Sequence, residues 1–326
     1  MSGLLPFPDD DLMPPAPPQA VRLAPKLKQL AAQGIYFGTS SWKYEGWIGS
    51  IYTADRYLTR GKFSQKKFDG ECLAEYAEVF PTVCGDFAFY QFPSPAYWQN
   101  LFGMTPRSLL FGLKVPEDIT VARWPKHARY GKRAGLENEH FLDAGLFAKL
   151  FARPLDPYRE RVATLIFEFG TFARSVFPKP EDFYARLDSF LGALPEGFRY
   201  AVEIRNAEYL RPEYLALLAQ HGVAHVLNAW TRMPTLDEQA VLPGVETAEF
   251  SVVRALLTRG RSYEKAVEEL APYETLKEPD ATAREGLRLV AESARKRKKP
   301  AFLFINNRLE GHAPTTIESV ADRLLF

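Results

Sequence analysis

An α/β fold, a single (β/α)8 TIM barrel with a Pro-rich N-terminal extension, is predicted for this sequence by three observations. Between Ile35 and the C-terminus, eight short apolar runs alternate with stretches patterned at helical spacing. Nearly every run is apolar on both faces, as parallel strands covered on both sides must be. Several runs also turn polar in their last residues, and in a barrel the functional loops are those that follow the strands. The 326 residues, 46% hydrophobic and 25% charged, suit one large globular unit. Eight units closing on themselves explain the count better than an open doubly wound sheet. No Gly-rich dinucleotide loop follows the first run, so the chain carries no nicotinamide or flavin motif.

Residues 1–25 are rich in Pro, Ala and Asp, and Pro14-Pro-Ala-Pro-Pro18 has no ladder donors to offer. This stretch is expected to be a flexible tail, with the barrel domain over residues 26–326. Ile35–Gly38 reads as the first strand, followed by a polar, aromatic loop with Trp42, Tyr44 and Trp47. Leu73, Tyr76, Ala77 and Phe80 then set a helical spacing over 70–80. Val83–Tyr90 is the second strand, and Ser94 with Pro95 reads as the N-cap and first residue of a helix through Leu101. Leu109–Val115 is the third strand, and a helix is placed near His140–Phe151. The fourth strand, Thr164–Phe169, precedes a helix over Pro180–Leu194 that Pro195-Glu-Gly197 stops. The fifth, Tyr200–Ile204, leads to a helix over Pro212–Gln220 with Gly222 just past its end. Val223–Leu227 and Ala248–Arg254 are the sixth and seventh strands. A helix over Ala281–Lys298, the eighth strand Ala301–Ile305 and a helix over Thr315–Leu325 complete the chain.

The chain resembles the YecE-like family, proteins with a domain of unknown function (domain of unknown function 72). The residues that carry the resemblance run in order. They are Tyr36-Phe-Gly-Thr-Ser-Ser-Trp42, Phe89-Tyr90-Gln-Phe-Pro-Ser94, Phe111-Gly-Leu-Lys114-Val-Pro116, Val202-Glu203-Ile-Arg205, Phe304-Ile-Asn306-Asn307 and Gly311-His-Ala-Pro314. The resemblance implies a TIM barrel from about Ile35 onward and no accepted substrate. Departures from the family pattern fall at Cys84 and Asp86, where Glu and Asn are usual. Two more fall at Glu168, where Gln is usual, and at Leu256, near a common His.

Composition excludes several classes. A net charge of +1 gives no global pull toward nucleic acid or membrane. No apolar run is long enough to span a bilayer, and the first twenty residues lack the Lys or Arg of a secretory signal. A cytoplasmic location is the expectation. Cys72 and Cys84 are read as buried free thiols. The five histidines include no His-Glu-x-x-His spacing, which argues against a zinc cluster. His225 reads as a core residue and His221 as a helix-end one.

The candidate site gathers the strand ends. Glu203 and Arg205 lie two apart and share a face of an extended chain, at a desolvation cost that pure packing does not require. Lys114, Glu168, Arg254, Asn306 and Asn307 end other strands. Arg205, Arg254 and Lys114 form a candidate clamp for a phosphate or carboxylate, with Glu203 or Glu168 as general acid or base and Lys114 as a candidate Schiff-base lysine. The competing reading is a structural ion-pair lattice across the mouth. Asp86, Glu168 and Glu203 offer oxygen ligands for Mg²⁺ or Mn²⁺. Asn306 and Asn307 either present their amides to a ligand or hold their own backbone. Trp42, Tyr44, Trp47 and Tyr90 are placed to stack a sugar or base, or else to pack a long loop.

Basic segments sort by face. Arg295-Lys-Arg-Lys-Lys299 ends a helix, away from the site, and complements its dipole. Arg60-Gly-Lys62 with Lys66 and Lys67, and Arg123–Arg133 with Trp124 and Tyr130 interleaved, follow strands. They suit phosphate backbones and stacked bases, or a solvated loop balanced by Asp118, Glu137 and Glu139. The functional expectation is therefore a barrel that binds, and as an enzyme turns over, an anionic small molecule or nucleotide at its C-terminal mouth. The enzymatic form would be a hydrolase or lyase on a phosphorylated or sugar substrate. The alternatives are a non-catalytic nucleic-acid-binding module and, as a minor reading, glycoside hydrolysis by Glu168 and Glu203.

Overall fold

The computed structural model describes residues 17–325. Eight parallel strands close into one barrel: β1 Ile35–Thr39, β2 Thr82–Gly85, β3 Leu110–Lys114, β4 Val162–Glu168, β5 Tyr200–Glu203, β6 Ala224–Ala229, β7 Ser251–Ala255 and β8 Ala301–Ile305. Each pairs with its neighbours in sequence, and β8 returns to β1 with Ile35 opposite Ala301 and Thr39 opposite Ile305. Seven longer helices surround them: α1 Pro18–Ala31, α2 Gln65–Val79, α3 Pro95–Gly103, α4 Pro180–Gly192, α5 Pro212–Gln220, α6 Ala281–Arg297 and α7 Ala313–Leu325. The expected barrel is the observed one.

The period of two along each strand divides the apolar residues between two cores. Cys84, Ile166, Ala201, Val226, Val252, Phe302 and Phe304 pack inside the barrel. Their neighbours Val83, Leu165, Val202, Leu227, Val253 and Leu303 face the helices in a larger cluster. Gly112 is required by the inner packing. A Cβ there would lie 2.7 Å from the Phe304 ring and 3.2 Å from the Cys84 Cβ. Inward positions one step further along the strands are Lys114, Glu168, Glu203 and Arg254. The parity that fills the barrel below therefore aims these charges into its mouth.

Several boundaries differ from the sequence reading. Residues 18–25, expected in the flexible tail, belong to α1. Pro18 sits in its first turn, where no N–H is needed, and Leu23, Leu27 and Leu30 are fully buried at helical spacing. Tertiary burial thus outweighs the cost of Pro25 inside the helix. Residues 1–16, including Pro14 and Pro15, lie outside the described residues. β2 ends at Gly85 rather than Tyr90: Trp42 packs against Gly85, and the chain bends from Asp86 onward. The helix expected near His140 starts at Ala144 and runs to Leu155 through a widened π turn over Ala148–Ala152. Cys72 and Cys84 are buried and free, as expected.

Candidate functional site at the barrel mouth

Five of the predicted side chains meet in a buried ion network, and Asp86 joins it from the rim. The Glu168 carboxylate accepts from Arg205 at 2.9 Å, from Lys114 at 3.1 Å and from Arg254 at 2.5 Å. Glu203, fully buried, accepts from Arg205 Nε at 3.2 Å and from the same Arg254 Nη1. Lys114 also reaches Asp86 at 2.8 Å and stands 3.5 Å from the centre of the Phe89 ring. Three cations face three carboxylates, so the layer carries no formal charge. The expected cationic clamp is therefore neutralised from within, and the lattice reading describes its resting arrangement.

The electrostatics follow from this crowding. Burial alone would raise the Glu168 carboxyl, but Arg205, Lys114 and Arg254 outweigh it and hold it well below the usual carboxylate range. Burial works against the charge of Arg254, and Glu203 with Glu168 more than restores it. A carboxyl held ionised cannot donate a proton to a leaving group, so Glu168 is unsuited to the acid role that glycoside hydrolysis demands. All four oxygens of the two glutamates are engaged by cations. Among the described residues no group of three or more His, Cys, Asp or Glu side chains is arranged to hold a metal ion.

The remaining candidates fall away from this layer. Asn306 caps the short helix Asn307–Glu310, its Oδ1 accepting from Arg308 N at 2.9 Å. Asn307 Oδ1 accepts from Ala313 N at 2.7 Å. Both asparagines hold local backbone. Trp42 stacks on Phe87 at 4.6 Å between ring centres and packs over Gly85. Tyr90 is exposed in the turn after β2, beside Arg129, and does not reach the network. The basic loop after β3 is largely self-paired: Arg123 with Glu137 at 2.9 Å, Arg129 with Glu117 at 2.8 Å and Arg133 with Asp118 at 3.1 Å. Arg133 also stacks on Trp124.

Sequence reading missed three residues that shape the site. Trp230 lies under the Arg205 guanidinium at 3.8 Å. Asn228, the register partner of Arg254, is fully buried and donates to Ile204 O at 3.0 Å. Asn206 clamps the backbone of Phe172 from both sides, at 2.7 and 3.2 Å. Ending the sixth strand at Leu227 hid the first two. Carried two and four residues past Val226, the same inward parity arrives at Asn228 and Trp230.

The model of the family described as "Protein of unknown function DUF72" matches residues 36–325. The chain belongs to that family. A DUF72 family protein from Thermotoga maritima is 20% identical, with 89% of this chain and 98% of that chain covered at a TM-score of 0.59. One from Enterococcus faecalis is 16% identical, with 90% and 98% covered and a TM-score of 0.59. These likenesses show a shared fold. No curated protein matches the chain. In this DUF72 protein the departures at Cys84, Asp86 and Glu168 all lie at or just below the ion layer. Burial pushes the Cys84 thiol up to about 11 against the pull of Arg254 and Lys114, so it stays protonated there. Among the described residues no helix is long and apolar enough to cross a membrane.

Proposed function

We propose that the mouth of this DUF72 barrel binds a small molecule through an anionic, phosphate-like group, with Arg205 and Lys114 as the contacting cations. Arg205 carries the reading. Its guanidinium is fixed by Glu168, Glu203 and the Trp230 face, yet its side chain remains 14% exposed and its Nη1 takes part in none of these ion pairs. A fork ordered before binding loses little entropy on contact and suits two parallel bonds to phosphate oxygens.

Lys114 supplies the second contact by exchange. Its partner Asp86 is 49% exposed while Lys114 itself is buried, so the carboxylate is the member of the pair that water can take up. A ligand oxygen replaces the Asp86 carboxylate, which swings into solvent. The exchange also limits the excess charge, since the incoming anion takes the place of one already there.

Thermal shift and calorimetry with inorganic phosphate, phosphorylated sugars and nucleotides at low salt test the reading. The native protein is expected to be stabilised, and Arg205→Gln to lose the effect while still folding. If none of these anions raises the melting temperature, the reading fails.

A further inference from the structure

A cavity of about 330 Å³ opens between the loop after β3 and the loop after β4. Its walls include Val121, Arg123, Trp124, Phe172 and Val176, with Thr120 at one side. The Thr120 hydroxyl is buried and has no hydrogen-bond partner. A buried polar atom left unpaired marks a place where a partner is missing.

The cavity is tied to the ion layer through the chain. One wall begins two residues after Glu168, and the other follows Lys114 after a single helical turn at Glu117–Thr120. The third tie is Asn206, next to Arg205, which bonds both backbone groups of Phe172 at 2.7 and 3.2 Å. The two loops that carry the cavity thus spring from the strands that carry Lys114 and Glu168, and the second is held by the residue next to Arg205. Its size is at the lower end for a small-molecule pocket, which suits a single ring system rather than a polymer. Trp124 and Phe172 supply apolar ring surface, while Thr120 supplies one hydroxyl for an edge heteroatom.

We infer that this cavity is the ring subsite of the same ligand, whose class is a phosphate ester of a compound bearing a flat heteroaromatic ring. The inference rests on the anion reading of the mouth and adds the second half of the molecule. Burying one ring against aromatic side chains is worth about tenfold or more in affinity.

Calorimetry with uridine monophosphate, ribose 5-phosphate, uridine and inorganic phosphate separates the two claims, using native protein, Arg205→Gln and Ala173→Trp. Ala173 lines the cavity from an exposed position, so the added indole fills it without removing core contacts. Phe172→Leu is the second variant, with melting temperature confirming that each protein folds. The expected result is that the nucleotide binds about tenfold tighter than ribose 5-phosphate. Both cavity variants erase that advantage, and Arg205→Gln weakens both phosphates. Equal affinity for nucleotide and ribose 5-phosphate in the native protein overturns the ring subsite and leaves the anion site standing. Uridine binding that the cavity variants abolish, with no gain from phosphate, supports the ring subsite and sinks the anion site. If none of the four compounds binds, both are overturned.

Discussion

Glu168 and Glu203 are register partners on adjacent strands, and their carboxylates accept from one and the same nitrogen, Nη1 of Arg254. Two carboxyl groups on neighbouring strands, both buried, face one guanidinium that stands between them. Arg254 is therefore the keystone of the layer; Arg205 takes the two remaining oxygens, and Lys114 shares Glu168 Oε2 with Arg254.

Removing Arg254 should be costly. Arg254→Met leaves two buried carboxylates without their shared partner, and truncating one side of such a cluster costs about 3–5 kcal/mol. Adding Glu203→Gln to Arg254→Met should recover part of that loss, because one of the stranded charges is gone. Urea unfolding of the two variants measures both effects. A loss under about 1 kcal/mol in the single variant would show that the network contributes little.

Acid should destabilise the fold in two stages. Burial pushes His225 and His312 down to about 4, so both rings are neutral in the folded state and protonate more readily when unfolded. Stability from this source is complete above about pH 6.5 and drains away as pH falls toward about 4, by up to roughly 3 kcal/mol for each ring. Glu168, with its folded pKa depressed, contributes stability above the ordinary carboxylate range, lost only as pH falls further through the folded value. His225→Gln should remove about half of the first stage, leaving the share of His312, and leave the second unchanged. A melting temperature independent of pH between 6.5 and 4 would contradict the burial argument.

Asp86 should compete with the ligand. Asp86→Asn keeps the shape of the side chain and removes the charge that occupies Lys114 in the resting site. Phosphate affinity is expected to rise about a few fold, because the competing carboxylate no longer has to be displaced. Unchanged or weaker binding would mean that Lys114 does not meet the anion.

Gly112 should tolerate no side chain. A Cβ placed 2.7 Å from the Phe304 ring must push an aromatic group that is itself fully enclosed. Gly112→Ala is expected to cost about 1–3 kcal/mol, the usual range for overpacking a tight core. Phe304→Leu in the same chain should restore part of it. Neutral behaviour of Gly112→Ala would mean that the interior is looser than the packing indicates.

The barrel was legible in the sequence because its signals are local. Apolar runs such as Leu110–Lys114 and Ala301–Ile305, set between helical patterns, are dictated by burial on both faces, and that demand is written residue by residue. Lys114, Glu168, Glu203 and Arg254 were legible as the polar ends of apolar runs. Their meeting follows once the strands close. What the sequence could not carry was the pairing. Arg254 lies 86 residues from Glu168 in the chain, and only the closed ring brings them together. The neutrality of the layer, the Trp230 face under Arg205 and the capping duties of Asn306 and Asn307 were settled the same way. So was the helix over Pro18–Ala31, where burial of Leu23, Leu27 and Leu30 overrides the local reluctance of proline. Period and propensity act over a few residues, whereas charge compensation and burial act between whichever groups the fold makes neighbours.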